Sequence, residues 1–206
     1  MGLIGVILHV SSFEIMIARE RSTMLRSLIL LVGFAACTFS ATAQNKVRWM
    51  TWEDALAAQA DEPRKIVVDI YTDWCGWCKK MDKATFQKDH IAKYINTNFY
   101  AVKFDAETKE TIVYNGKEYN YVSNGRRGYH ELAVAITQGK LSFPTVTFID
   151  EDLNVIQPIG GFQGPESFEM IMTYFAENYY THTPWRSFTR SYQARQQPQS
   201  IPVRGN

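Results

Sequence analysis

The chain has 206 residues, 46% of them hydrophobic, and a formal net charge of +1. That length suits one domain with extensions, and the apolar fraction is enough for a full core. No basic run interleaved with aromatics occurs, so nucleic acid is not an expected partner.

Arg26 precedes the apolar run Ser27 to Cys37, and Ala41-Thr42-Ala43 follows. A basic residue, a short apolar core and a small-x-small exit describe a signal peptide cleaved after Ala43. The apolar core is too short for a membrane span, so no stable span is expected after cleavage. Residues 1–43 are therefore expected to be an N-terminal extension and leader, with Met1 and Met24 both available as starts. Ala35-Ala36-Cys37 also resembles the end of a lipobox, which gives lipid anchoring through Cys37 as the alternative to a free periplasmic protein. If export is right, the mature chain keeps one cysteine pair in an oxidising compartment.

Lys46 to Met50 alternates and predicts a strand. Thr51 with Asp54 predicts a capped helix over 52–60, ended by Asp61-Glu62-Pro63. Ile66 to Asp73 predicts a buried central strand. Cys75-Gly76-Trp77-Cys78 follows, then a helix over 79–87. A helix over 90–96 and a strand over 99–105 come next. Asn115-Gly116 between 111–114 and 117–121 is a strong hairpin signal. Residues 123–128 read as a polar loop, 129–137 as a helix stopped near Gly139, and 145–150 with 155–159 as a second hairpin. Pro165 opens the last predicted helix, with Phe168, Ile171, Met172, Phe175 and Tyr179 on one stripe. Residues 184–206 read as a loosely attached polar tail, leaving 44–183 as the domain.

The chemistry concentrates at Cys75 and Cys78. A strand that delivers Cys-x-x-Cys to a first helical turn is a redox geometry, because free amides and the helix dipole stabilise a thiolate. Cys75 is expected as the exposed nucleophile and Cys78 as the buried resolving thiol. A structural zinc site would want four ligands, and no second cysteine pair or suitably spaced histidines accompany these two. No cofactor or metal is expected. The apolar neighbours of Asp69 predict its burial, which would raise its pKa. Trp74 and Trp77 either shield the site or dock partners. Tyr114, Tyr119 and Tyr121 read first as hairpin packing.

Asp-Trp-Cys-Gly-Trp-Cys-Lys at 73–79, Phe143-Pro144-Thr145 and Gly160-Gly161, in this order of elements, resemble the thioredoxin-like superfamily over residues 47–180. The Asn-Gly hairpin and the long segment before Phe143 resemble its exported DUF255-like group. The resemblance implies an α/β thioredoxin fold: a central mixed sheet flanked by helices, with a β-hairpin insertion before a cis-Pro144 segment facing the sulfurs. It implies Asp69 as a buried proton-relay carboxylate beneath Cys78, with Lys103 beside it. It implies thiol-disulfide exchange with client proteins, as a reductant fed by a membrane-borne electron donor. Gly-Trp between the cysteines, Phe143 and the 107–128 insertion depart from ordinary thioredoxins. The competing reading is a redox-silent binding module; a peroxidase is a third, with nothing marking a peroxide pocket.

Overall fold

The computed structural model describes residues 46–196 apart from Arg126. The expected leader, its cleavage point and Cys37 lie outside these residues, as does the end of the tail. Five strands form the central sheet in the order β1 (Trp49–Met50), β3 (Tyr100–Asp105), β2 (Ile66–Tyr71), β8 (Thr145–Ile149), β9 (Val155–Gly160). β1, β3 and β2 run parallel, and β8 and β9 are each antiparallel to their neighbour. This is the expected α/β thioredoxin fold.

Side chains alternate across a strand, so each central strand feeds two cores. Val67, Ala101, Val146 and Phe148 face one cluster, which takes Met81, Phe86, Ile91, Ile95, Phe168 and Met172 from the helices. Ile66, Val68, Ile70, Val102 and Phe104 face the other, with Trp52, Leu132 and Ile136. Burial of about 25 cal/mol per Å2 on both faces is what holds the sheet as a middle layer.

The helices are α1 (Trp52–Asp61), α2 (Gly76–Met81), α3 (Asp89–Asn98), α4 (Glu131–Ile136), α5 (Pro165–Ala176) and α6 (Trp185–Gln196). Thr51 caps α1 as expected, its hydroxyl accepting from the Asp54 amide at 3.1 Å. α2 begins three residues earlier than predicted and runs on into a π-helical turn, Asp82–Phe86, where the Gln87 amide donates to the Asp82 carbonyl at 3.1 Å.

The insertion holds two hairpins. β4 (Ile112–Tyr114) and β5 (Lys117–Tyr119) meet at Asn115 and Gly116, whose φ values of 50° and 71° are the turn that the dipeptide predicts. Tyr114 packs edge-on to Trp52 and its hydroxyl reaches the Leu153 carbonyl, so the packing reading of this tyrosine holds. The expected loop over 123–128 is instead a second hairpin, β6 (Tyr121–Asn124) and β7 (Arg127–His130), turned at Gly125 with φ 63°. It converts what would be the first turn of the helix predicted over 129–137 into strand, and α4 starts only at Glu131. His130 pins the base: buried, it caps α4 by accepting the Leu132 amide on Nδ1, while Nε2 meets the Glu110 carbonyl at 2.9 Å.

The polar-tail expectation also needs correction. Residues 185–196 form α6, and Phe188, 1% exposed, enters the first core beside Tyr174 and Tyr179. Among the described residues, no helix is long and apolar enough to cross a membrane.

Candidate active site

β2 ends at Tyr71, and the chain turns through Thr72 to Trp74, the Cys75 amide donating to the Thr72 carbonyl at 3.0 Å. Cys75 is the N-cap of α2, and its sulfur accepts the Cys78 amide at 3.1 Å. The two cysteines are joined as a disulfide, Cα to Cα 5.3 Å. The backbone donor aimed at Cys75 Sγ is what would hold a thiolate there after reduction. Cys78 lies one turn in and has no such position. The expected exposure of Cys75 is not found: Cys75 is 5% exposed and Cys78 4%. Burial therefore does not separate the two sulfurs; their places on the helix do.

Two exposed tryptophans flank Cys75 in the chain and pack on rings from other segments. Trp74 is 50% exposed and Trp77 56%. Trp74 meets Phe143 edge-on at 5.8 Å, and Trp77 lies 5.7 Å from Phe162. The Trp74 indole N–H donates to Glu107 at 3.0 Å, and the Arg127 guanidinium sits 4.4 Å from the same ring. The insertion thus reaches the site through Glu107 and β7. On the other side, the Lys80 ammonium lies 4.4 Å from the Trp77 ring and 5.2 Å from Phe162.

Phe143-Pro144 is a cis peptide, as the resemblance implies. Pro144 is buried, and its carbonyl accepts the Gly161 amide at 2.8 Å, which ties the expected Gly160-Gly161 pair to this segment.

Asp69 shares the sheet face of Val67, the face that packs on Met81 of α2. It is 3% exposed, as its neighbours predict. Lys103, paired with it in the β2–β3 register, donates to Asp69 Oδ2 at 3.1 Å. Lys103 also holds Asp82, which sequence reasoning missed. The signal was there: Asp82 is four residues after Cys78, and its amide donates to the Cys78 carbonyl. Burial lifts the Asp69 carboxyl to about 6, against the pull of Lys103 and with a push from Asp82. Burial works against the Lys103 ammonium, but the two carboxylates outweigh it and hold its pKa above the ordinary lysine value. Asp69 Oδ1 is buried with no hydrogen-bond partner among the described residues. A groove of about 430 Å3, lined by Trp49, Asp82, Phe86, Gln87 and Lys103 among others, opens onto this charged group.

The family model Thioredox_DsbH, described as "Protein of unknown function, DUF255", matches residues 26–184. An uncharacterized protein of Caenorhabditis elegans is 26% identical over 122 residues, 50% of this chain and 17% of its own length. Spermatogenesis-associated protein 20 of Mus musculus is 30% identical over 71 residues, 34% of this chain and 9% of its own. The chain thus spans less than a fifth of the curated relatives it matches. Among solved structures, "DsbH Oxidoreductase" aligns with TM-score 0.49 at 16% identity, covering 68% of this chain and 91% of that one. A putative disulphide-isomerase from Bacteroides thetaiotaomicron aligns with TM-score 0.45 at 22% identity, covering 64% and 95%.

Proposed function

This chain belongs to the DUF255 family, and from that membership and its paired sulfurs we propose that it is an exported thiol-disulfide oxidoreductase acting as a reductant of client proteins. The observation that carries the reading is the Cys75–Cys78 disulfide at the start of α2, with the Cys78 amide on Cys75 Sγ.

The Cys75 thiolate attacks one sulfur of a client disulfide. A Cys75–client bond forms, the client S–S bond breaks, and the departing client thiolate takes a proton from water. Cys78 then attacks Cys75 Sγ, closing the Cys75–Cys78 disulfide and releasing the second client thiolate, which is protonated in turn. Two electrons have passed to the client. Asp69, with a free oxygen and a carboxyl near 6, accepts the proton that Cys78 loses. Pro144 presents the edge along which the client lies. A membrane-borne dithiol donor restores the reduced pair.

Export rests on Arg26, the apolar run after it and Ala41-Thr42-Ala43. The mature chain begins at Gln44 in the periplasm, and its domain includes α6 as well as residues 44–183. Mass spectrometry of the exported protein tests this, and a diacylglyceryl Cys37 would replace it with the lipid-anchored form.

Insulin reduction coupled to a redox titration tests the activity. Turnover with a midpoint near the thioredoxin value of about −270 mV is expected. A midpoint near about −120 mV would make the protein an oxidant. A folded protein with no turnover would be the redox-silent binding module instead.

A further inference from the structure

The two ends of the aromatic rim carry different charges. At the Trp74 end, Glu107 is taken by the indole N–H and Arg127 lies over the same ring; nearby, burial raises the Asp105 carboxyl, with the charges of Asp73 and Glu107 adding to it against the Glu107 amide that donates to it. That end already holds charges of both signs. At the Trp77 end, Lys80 lies against Trp77 and Phe162, with Lys79 exposed beside it. Among the described residues, no carboxylate lies within ion-pair distance of Lys80 or Lys79.

Trp77 is also the more exposed of the two indoles, at 56%. It forms an apolar face beside the cysteines, and the Lys80 ammonium over its ring has no carboxylate partner among the described residues. Such a face fits a partner side that is apolar and anionic.

We propose that the Trp77–Phe162–Lys80 end of the rim is a specificity site, which docks a client segment carrying an apolar residue and a carboxylate next to its cystine. The inference rests on the thiol-disulfide reading above and adds the chemistry of the substrate. The client's apolar side chain covers Trp77 and Phe162, and its carboxylate meets the Lys80 ammonium. Arg127 and Glu107 both contact Trp74 and occupy the other end of the rim.

The test uses the full-length protein, reduced with dithiothreitol and desalted, so that its own cysteine pair supplies the two electrons. The substrates are disulfide-cyclised peptides with a Leu and either Asp, Asn or Lys beside the cystine. The readout is the ratio of second-order rates, Asp over Asn. A ratio of roughly two to five is expected at low salt, the size of one exposed ion pair, falling toward one at about 1 M salt. Lys80→Gln should bring the ratio to one, Lys80→Arg should keep it, and Lys80→Glu should turn the preference to the Lys peptide. Arg127→Gln should leave the ratio in place; a larger loss there than in Lys80→Gln would move the site to Trp74 and overturn the proposal. Equal rates for the three peptides, with turnover intact, would overturn it and leave the redox reading standing. Ser-for-Cys versions of the peptides, titrated by tryptophan fluorescence, separate the two readings. Tighter binding of the Asp form without any disulfide exchange would support the site and remove the redox reading. Equal binding of all three would count against the site.

Discussion

Trp77 keeps 56% of its surface in water, whereas Asp69, on the strand leading to the same turn, keeps 3%. The rim and the interior of this site place their charges by opposite rules. At the rim, Lys80 and Arg127 rest on aromatic faces in high dielectric, where a charge adds little to stability and stays available to a partner. In the interior, Lys103 holds Asp69 and Asp82 at once, beneath the rings of Trp49, Tyr71 and Phe86. A carboxylate there costs stability, because desolvation opposes its ionised form. The two regions divide the labour. Rim changes should alter which partner reacts, and interior changes should alter how rate and stability depend on pH.

The largest effects belong to the cysteines, which stand between the two regions. Cys75→Ser should abolish turnover and trap almost no client. Cys78→Ser should also lose turnover, but with the rim and Cys75 intact it should accumulate mixed disulfides. Non-reducing electrophoresis with mass spectrometry reads both, and trapping by Cys75→Ser would reverse the roles.

Asp69→Asn comes next and tests the interior directly. Its folded pKa of about 6 lies above the ordinary 3.8, so between those values the folded chain holds a proton that the unfolded chain has lost. The advantage to folding is present below about pH 4 and is lost as pH rises through about 6. Asp69→Asn should therefore be more stable than the parent at pH 8 by about 2 kcal/mol, with little difference at pH 4. Urea titrations at the two pH values check this. The same variant should lose any rise in exchange rate near pH 6 and fall roughly a hundredfold at pH 8, the low end of what a proton acceptor contributes. An unchanged pH profile would reduce Asp69 to a structural group.

Asp82→Asn should act more gently. Asp82 pushes the Asp69 carboxyl up, and its loss leaves Lys103 to Asp69 alone. Both changes favour the ionised form, so the inflection should move toward acid by less than about one pH unit. A move toward base would show that Lys103 follows Asp82 rather than Asp69.

Gly116→Val should have the smallest effect on activity, because β4–β5 packs on Leu153 rather than on the rim. The φ of 71° disfavours a β-branched residue, and about 1–2 kcal/mol of stability should be lost without any steric neighbour being met. Thermal unfolding measures this. A fall in the reduction of a small disulfide would join this hairpin to the active site and erase its contrast with β6–β7.

What the sequence determined by itself was the part written in near neighbours. Cys-x-x-Cys after an apolar strand placed the sulfurs at a helix start, Thr51 with Asp54 wrote a cap, and Asn115-Gly116 wrote a turn, because each is decided within four residues. The apolar run around Asp69 was enough to predict its burial. The tertiary structure alone decided which distant groups share a site. It set Lys103 between Asp69 and Asp82, laid Arg127 of β7 over Trp74, and buried Cys75 as deeply as Cys78. Two local signals were also present and outweighed: Gly125 at a hairpin turn amid polar residues, and Trp185, Phe188 and Tyr192 at helical spacing in a polar stretch. Composition pointed to loop and tail there, while a few contacts fixed strand and helix. A contact between residues far apart in the chain depends on how the whole sheet is ordered, and no short stretch of sequence carries that order.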